Sequence, residues 1–419
     1  MPYKLLSDID VKNKRVLLRV THDVPLKTAG KKIVVVDDSR IRATLPTIKH
    51  LLKNKCRIVI LTKLGRPGGQ VVESLRTDPI AAHLSHLLKR PVRKLDSCVG
   101  PVIRDTIERM KPKDIVMLEN VRFHQGEERG DRAFAKALAS YGEMVVFDAF
   151  PESHRDTPST TGILSLLPSV MGFDMHKELT ELGGLLKNPS HPFVVVLGGA
   201  KISDKIATFK NLLGIADIFL IGGALAHHLL KAHGTKISVP LAEEQKEGNK
   251  KERKKIIEIA EEIIEGTKDR YVNLGPGMNV PKLVLPLDVV AAVKADAKAE
   301  RRVVDLEHFD SVPWDWSFLD IGPKTIKEYT RIIEKSKTVF WNGPLGVVEI
   351  PAFAHGTISI ADAIAKSHAK SIVGGGDTEG ALKAAHLTKK FDYVSTGGGA
   401  SLEFLSGAEL PVLKYLSVS

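Results

Sequence analysis

Short apolar runs recur along the chain at 15–20, 33–36, 58–61, 115–118 and 144–147. They recur again at 193–197, 218–221, 271–274, 284–291, 318–321, 338–341, 371–373 and 393–395. They are rich in Val, Ile and Leu and do not alternate with polar residues, the pattern of strands buried on both faces of a parallel sheet. Between them lie stretches of helical periodicity, such as 42–53 and 205–213. Strand and helix in alternation predict parallel sheets wrapped by helices. Segment 173–188 reads as a helix interrupted at Gly183-Gly184, and it marks the seam between two halves.

Length supports two domains, since 419 residues exceed one ordinary core of about 100–200. With 43% hydrophobic and 26% charged residues the chain is globular in composition. No apolar run approaches the ~20 residues of a membrane span, and the N-terminal stretch lacks the apolar centre of a signal peptide. Cys56 and Cys98 are the only cysteines, sit in no metal-binding spacing and suit a reducing compartment as structural residues. A cytoplasmic protein without membrane partners is the expectation. The net charge of +11 admits nucleic acid or small polyanions as partners. The dense basic run Lys250-Lys251-Glu252-Arg253-Lys254-Lys255 leads into Ile256, Ile257, Ile259, Ile263 and Ile264 and reads as the solvated face of an amphipathic helix. With only 5% aromatic residues there is no stacking platform for single strands, so no nucleic acid is expected.

The residues just after the strands differ between the halves. In the first half they are basic: Arg19 and His22, Lys63 and Arg66, Arg122 and His124, His154 and Arg155. In the second they are glycines: Gly198-Gly199, Gly222-Gly223, Gly275, Gly322, Gly343, Gly374-Gly375-Gly376 and Gly397-Gly398-Gly399. Ligands of open α/β sheets bind at the carboxyl ends of the strands. One half therefore offers a cationic pocket, and the other offers backbone N–H groups that a phosphate can approach.

Several motifs sharpen this. In Gly198-Gly199-Ala200-Lys201-Ile202-Ser203-Asp204-Lys205 a glycine turn opens a helix with Lys201 and Lys205 on one face, suited to polyphosphate or simply a helix start with surface lysines. It is not a Walker A loop. In Gly374-Gly375-Gly376-Asp377-Thr378, Asp377 either caps the next helix or holds Mg²⁺ beside phosphates. Asn342 and Glu349 are suited to phosphate and ribose contacts, or are a turn residue and a solvated acid. Arg40, Arg66, Arg122 and Arg155 lie in loop contexts where guanidinium forks clamp phosphate and carboxylate, and His154 either adds to that pocket or is structural.

These stretches resemble the phosphoglycerate kinase family over essentially the whole chain: KLGRP at 63–67, LENVRFHQG at 118–126, DAFPESHR at 148–155, LGGAKISDKI at 197–206, DIGPK at 320–324, WNGPLG at 341–346, GGGDT at 374–378 and STGGGASL at 395–402. The resemblance implies two Rossmann-like parallel-sheet domains joined by a hinge and closing on their substrates. Residues 1–176 form the 3-phosphoglycerate domain, 177–402 the Mg-nucleotide domain, and 403–419 a tail returning to the first. It implies ATP-dependent phosphorylation of the 3-phosphoglycerate carboxylate, with Mg²⁺ and ATP/ADP, in a monomer. By the same resemblance Arg40 and Lys201 meet the transferring group, with Gly375 and Gly398 as backbone donors. Lys205, Gly222, Gly223, Asn342, Glu349, Gly376, Asp377, Thr378 and Gly399 belong to the nucleotide site, with Asp377 governing the metal. Arg66, Arg122 and Arg155 clamp the acid, joined by Thr21, His22, Asp23, Lys63 and His154.

The acid pocket departs from the family pattern. The usual R-V-D-F-N-V-P is Arg19-Val20-Thr21-His22-Asp23-Val24-Pro25, the H of H-L-G-R-P is Lys63, and G-T-A-H-R-A-H is Pro151-Glu152-Ser153-His154-Arg155-Asp156-Thr157. Asp23 places negative charge near an anionic substrate and Lys63 adds a permanent cation, so the two are expected to offset each other. The nucleotide motifs show no such change. The alternatives are a kinase of the same fold acting on another phosphorylated acid, a non-catalytic nucleotide-binding relative, and a dehydrogenase or nucleic-acid binder. No strand-linked G-x-G-x-x-G supports a dehydrogenase.

Overall fold

The computed structural model describes residues 3–30, 32–199, 203–235, 250–307 and 316–418. The chain divides into two compact units, Met1–Thr180 with Glu409–Ser419, and Glu181–Ala408. The division falls inside helix Phe173–Lys187. That helix runs unbroken through Gly183-Gly184, where an interruption is predicted. Glycine weakens a helix interior by only about 1 kcal/mol, which fifteen residues of helix absorb.

In the first unit a six-stranded parallel sheet is ordered Arg93–Lys94, Ile115–Met117, Arg57–Leu61, Arg15–Val20, Met144–Asp148, Ser169–Met171. Arg15–Val20 pairs in register with Arg57–Leu61 on one side and Met144–Asp148 on the other. Its Val16, Leu17 and Leu18 are fully buried, as strands covered on both faces require. Helices Leu45–Lys53 and Asp78–Leu88 cover it, burying Ile48, Leu51, Ile80 and Leu84. The run predicted at 33–36 lies instead in the antiparallel hairpin of Leu26–Ala29 and Lys32–Val35. The chain's last residues belong to this unit: the Lys4 N–H donates to the Leu416 carbonyl at 2.8 Å, and Leu410, Val412 and Leu416 are buried.

The second unit holds another six-stranded parallel sheet, ordered Leu283–Val284, Ile218–Ile221, Phe193–Leu197, Thr338–Asn342, Lys370–Gly374, Tyr393–Val394. Numbered along the chain this is 3-2-1-4-5-6, the doubly wound order. The predicted run 284–291 is two strands, Leu283–Val284 and Asp288–Ala292, because Pro286 between them lacks an N–H for the ladder. Asp288–Ala292 joins Arg301–Asp305 and Ser317–Ile321 in an antiparallel sheet. No helix among the described residues is long and apolar enough to cross a membrane.

Candidate functional site

In the second unit the strand order reverses between Phe193–Leu197 and Thr338–Asn342, where doubly wound sheets bind ligands. There the two backbones touch. The Gly198 N–H donates to the Asn342 carbonyl at 3.0 Å and the Gly199 N–H to the Pro344 carbonyl at 2.6 Å. A Cβ on Gly198 would lie 2.1 Å from the Pro344 oxygen, and one on Gly343, whose φ is +90°, would lie 2.2 Å from the Gly198 oxygen. A Cβ on Gly223 (φ +58°) would meet Gly199 N at 2.6 Å. These three glycines are required by packing.

Gly376 and Gly399 differ, for a Cβ there would meet nothing within 4 Å. Helix Gly376–Ala384 starts at Gly375 (φ +97°) and has no side-chain cap. Helix Gly223–Ala232 starts likewise at Gly222. The first-turn N–H groups and positive dipole end of helix Gly376–Ala384 suit an anion, whereas the Gly223 and Ala224 N–H groups are spent on the Leu345 and Gly199 carbonyls at 3.0 and 3.1 Å. Asp377, in that first turn, is exposed and makes no side-chain hydrogen bond among the described residues. It does not cap the helix, and a free carboxylate beside phosphate-binding amides is the donor a hard cation needs, so it fits Mg²⁺. Thr378 is fully buried, and its Oγ1 accepts from the Gly343 N–H at 2.8 Å, tying helix to turn. Gly398 has φ +55° and open space around it. Lys205 places its ammonium over the glycine turn, 3.0 Å from where a Gly199 Cβ would sit. Lys201 lies outside the described residues.

Beside these turns opens a cavity of about 510 Å³, floored by Ala224, Val289, Phe318, Ile321, Leu345 and Val347 and rimmed by Gly199, Gly223, Glu349 and Asp377. An apolar slot with a polar, glycine-rich mouth suits a nucleobase with its phosphates outside. Two lining residues escaped prediction. His227 is buried against Phe318, and burial foremost lowers its pKa to about 4, so the ring is neutral at physiological pH. Asp320 accepts N–H bonds from Ile321 at 2.9 Å and Gly356 at 2.8 Å, which hold the turn around the cavity. Both roles arise from tertiary contacts; only the DIGPK match hinted at Asp320.

Burial pushes the Asp320 pKa from 3.8 up to about 7, against the pull of those N–H groups. Between these pH values the folded chain holds a proton that the unfolded chain has released. Stability should therefore fall as pH rises from about 4 to 7 and then level off, by roughly 4 kcal/mol at most. Trp316 and Trp341 lie in this unit, and tryptophan-fluorescence unfolding in urea from pH 5 to 8 reads the slope. Asp320→Asn should flatten it; an unchanged slope would assign the titration elsewhere.

In the first unit Arg40, Lys63, Arg122 and Arg155 belong to one connected set. The Lys63 ammonium pairs with the Asp23 carboxylate, so the expected offset is a direct contact. Lys63 also reaches Glu152 at 3.2 Å, and Glu152 reaches Arg155 Nε at 3.2 Å. Asp23 Oδ1 accepts from the Gly65 N–H at 2.9 Å, and its carbonyl accepts from Arg40 Nη1 at 2.8 Å. Arg122 Nη1 donates to the Gly65 carbonyl at 3.0 Å. Buried Asn120 fixes the loop between them: its Oδ1 accepts from Leu64 and Arg122 N–H groups, both at 3.1 Å, and its Nδ2 donates to the Leu64 carbonyl at 2.7 Å. Arg66 is exposed and His154 half-buried.

Thr21 and His22 are buried beneath this set. His22 Nε2 bonds Thr44 Oγ1 at 2.9 Å while the Thr44 hydroxyl donates to the Ile41 carbonyl at 3.0 Å, so Nε2 carries the proton. Burial, then Arg19, lowers the His22 pKa to about 3. A neutral ring thus occupies the place of the family's usual phenylalanine. Glu152 and Asn120 were not predicted. An acid inside an otherwise basic loop was the available signal for Glu152.

A family model described as phosphoglycerate kinase matches residues 6–408. The phosphoglycerate kinase of Moorella thermoacetica is 43% identical over 406 residues, covering 97% of each chain. That of Dictyoglomus turgidum is 44% identical over 412 residues, 98% of this chain and 97% of its own. Among solved structures, phosphoglycerate kinase from Coxiella burnetii superposes with a TM-score of 0.80 at 34% identity over 99% of both chains. The Pyrococcus horikoshii enzyme gives 0.82 at 33% identity, over 99% of this chain and 98% of its own.

Proposed function

This chain belongs to the phosphoglycerate kinase family, and from that premise we propose how its residues divide the work. It is a phosphotransferase that moves a phosphoryl group reversibly between ATP and the carboxylate of 3-phosphoglycerate, a glycolytic step. A carboxylate of ordinary pKa is already ionised at neutral pH, so the reaction requires no general base. Catalysis is positioning and charge neutralisation. Arg40, with Lys201, stabilises the transferring group. Gly375, Gly376, Gly398 and Gly399 donate backbone N–H groups to phosphate oxygens, and Lys205 neutralises them. Gly222 and Gly223 wall the base, Glu349 and Asn342 orient the nucleotide, and Thr378 holds the turn. Asp377 would hold Mg²⁺, which supplies charge neutralisation on the phosphates. Arg66, Arg122 and Arg155 clamp the acid with His154, over a floor of Thr21, His22, Asp23 and Lys63. A cytoplasmic monomer without nucleic-acid or membrane partners completes the reading.

The observation that carries the nucleotide half is the uncapped helix start at Gly375 beside an apolar cavity. The test is a coupled assay with ATP, Mg²⁺ and 3-phosphoglycerate, following NADH consumed by added glyceraldehyde-phosphate dehydrogenase. Sustained turnover is expected; none, with MgATP still bound, would defeat the assignment of the acid. Asp377→Asn should raise the KM for MgATP about tenfold and leave that for 3-phosphoglycerate within twofold; equal changes in both would remove Asp377 from the metal. A different phosphorylated acid is the second reading, favoured by the ionic set at Asp23, Lys63 and Glu152.

A further inference from the structure

Lys63 is the centre of the acid pocket's connected set, yet its position argues against direct contact with an anion. Its side chain is only 10% exposed, and its ammonium is shared between the Asp23 carboxylate, 24% exposed, and that of Glu152, 5% exposed. Glu152 uses its other oxygen on Arg155. Two anions and two cations close on themselves, and the four-residue chain Asp23, Lys63, Glu152, Arg155 has zero net charge. An ammonium flanked by two carboxylates presents little positive potential to a third.

Each acid also leads outward to an arginine. Asp23 accepts Arg40 on its carbonyl and the Gly65 N–H on its carboxylate. The Gly65 carbonyl accepts Arg122. Glu152 takes Arg155. Of the four arginines assigned to the substrates, Arg155 therefore pairs with a cluster carboxylate, and Arg40 and Arg122 rest on the main-chain carbonyls of Asp23 and Gly65 beside it. Of the positions that depart from the family pattern, 23, 63 and 152 meet at one ammonium.

We infer that Lys63, Asp23 and Glu152 form one self-neutralised positioning cluster that orients Arg40, Arg122 and Arg155, and that Lys63 acts through these arginines and is not itself an anion ligand. The inference rests on the reading of this pocket as the acid site. It follows that the three residues are coupled. Removing Lys63 alone leaves two acids without their shared cation, and they then compete with the substrate for Arg40 and Arg155. Neutralising all three removes the competition, while an Asn at 23 can still accept from the Gly65 N–H.

The test compares wild type, Lys63→Met, and the triple variant Asp23→Asn/Lys63→Met/Glu152→Gln, by steady-state kinetics and by melting temperature. Lys63→Met should raise the KM for 3-phosphoglycerate at least tenfold and leave the KM for MgATP within twofold, with a lower Tm. The triple variant should return the KM to within threefold of wild type and recover most of the lost Tm. A triple variant as impaired as Lys63→Met would overturn the inference, because the lysine charge itself would then be meeting the substrate. So would a Lys63→Met enzyme with unchanged KM and Tm. If Lys63→Met does not fold, the triple variant alone still separates the two cases. Absence of wild-type turnover would strike the functional reading instead, and the Tm recovery would still decide whether the three residues are coupled.

Discussion

Arg40→Ala is expected to lower kcat by about two to three orders of magnitude, roughly 3–4 kcal/mol of barrier, with the KM for MgATP nearly unchanged. The phosphoryl group passes through a state whose charge is spread over its equatorial oxygens, and a guanidinium contributes there more than to either ground state. Arg40 lies in helix Ser39–Ala43, and its Nη1 donates to the Asp23 carbonyl at 2.8 Å. Lys201→Ala should produce a loss of similar size. Steady-state kinetics on both variants distinguish this from a binding role: a rise in KM at constant kcat would make Arg40 a ground-state anion clamp only.

The second large effect is on stability. Gly343→Ala should lower the stability of the second unit by roughly 3–5 kcal/mol. Two causes add: a φ of +90° is strained for any side chain, and the new Cβ would lie 2.2 Å from the Gly198 carbonyl oxygen, which belongs to a buried strand end that cannot retreat. The Gly343 N–H bond to Thr378 would be disturbed as well, so MgATP affinity should fall with stability. Gly376→Ala is the control. It meets nothing within 4 Å, so stability should stay within about 0.5 kcal/mol, yet nucleotide affinity should drop because the methyl intrudes where a phosphate approaches. Urea unfolding followed by tryptophan fluorescence, paired with MgATP titration, separates the two glycines. Equal stability losses would show that both are packing glycines.

The strands were legible in the sequence where they are central. Phe193–Leu197 is apolar throughout and Arg57–Leu61 is apolar from Ile58 onward, and burial on both faces accounts for that composition. Edge elements were legible only in part: the run at 393–395 is the edge strand Tyr393–Val394. Arg93–Lys94 is two charged residues at a sheet margin, and the mostly exposed Arg301–Asp305 has only Val303-Val304 between charged residues, so neither forms an apolar run. The glycine turns could be read because three glycines in a row have few other uses. The backbone collision that makes Gly198 and Gly343 obligatory joins positions far apart in sequence, and no local pattern encodes it. The offset of Asp23 by Lys63 followed from their opposite charges at two positions that depart from the family pattern in one pocket. The inclusion of Glu152 required knowing that residues 63 and 152 meet across the strand ends. His22 was read as part of the pocket surface; its partners Thr44 and Thr62 place it beneath.

The most direct test of the central claim is the initial rate of ADP formation with 3-phosphoglycerate against isomeric 2-phosphoglycerate, each at equal subsaturating concentration with MgATP. The arginine set around Asp23, Lys63 and Glu152 suits an acid phosphorylated at its far end, so 3-phosphoglycerate should be favoured at least a hundredfold, about 2.7 kcal/mol in transition-state binding. Equal rates, or a preference for the isomer, would contradict the assignment of 3-phosphoglycerate to this pocket.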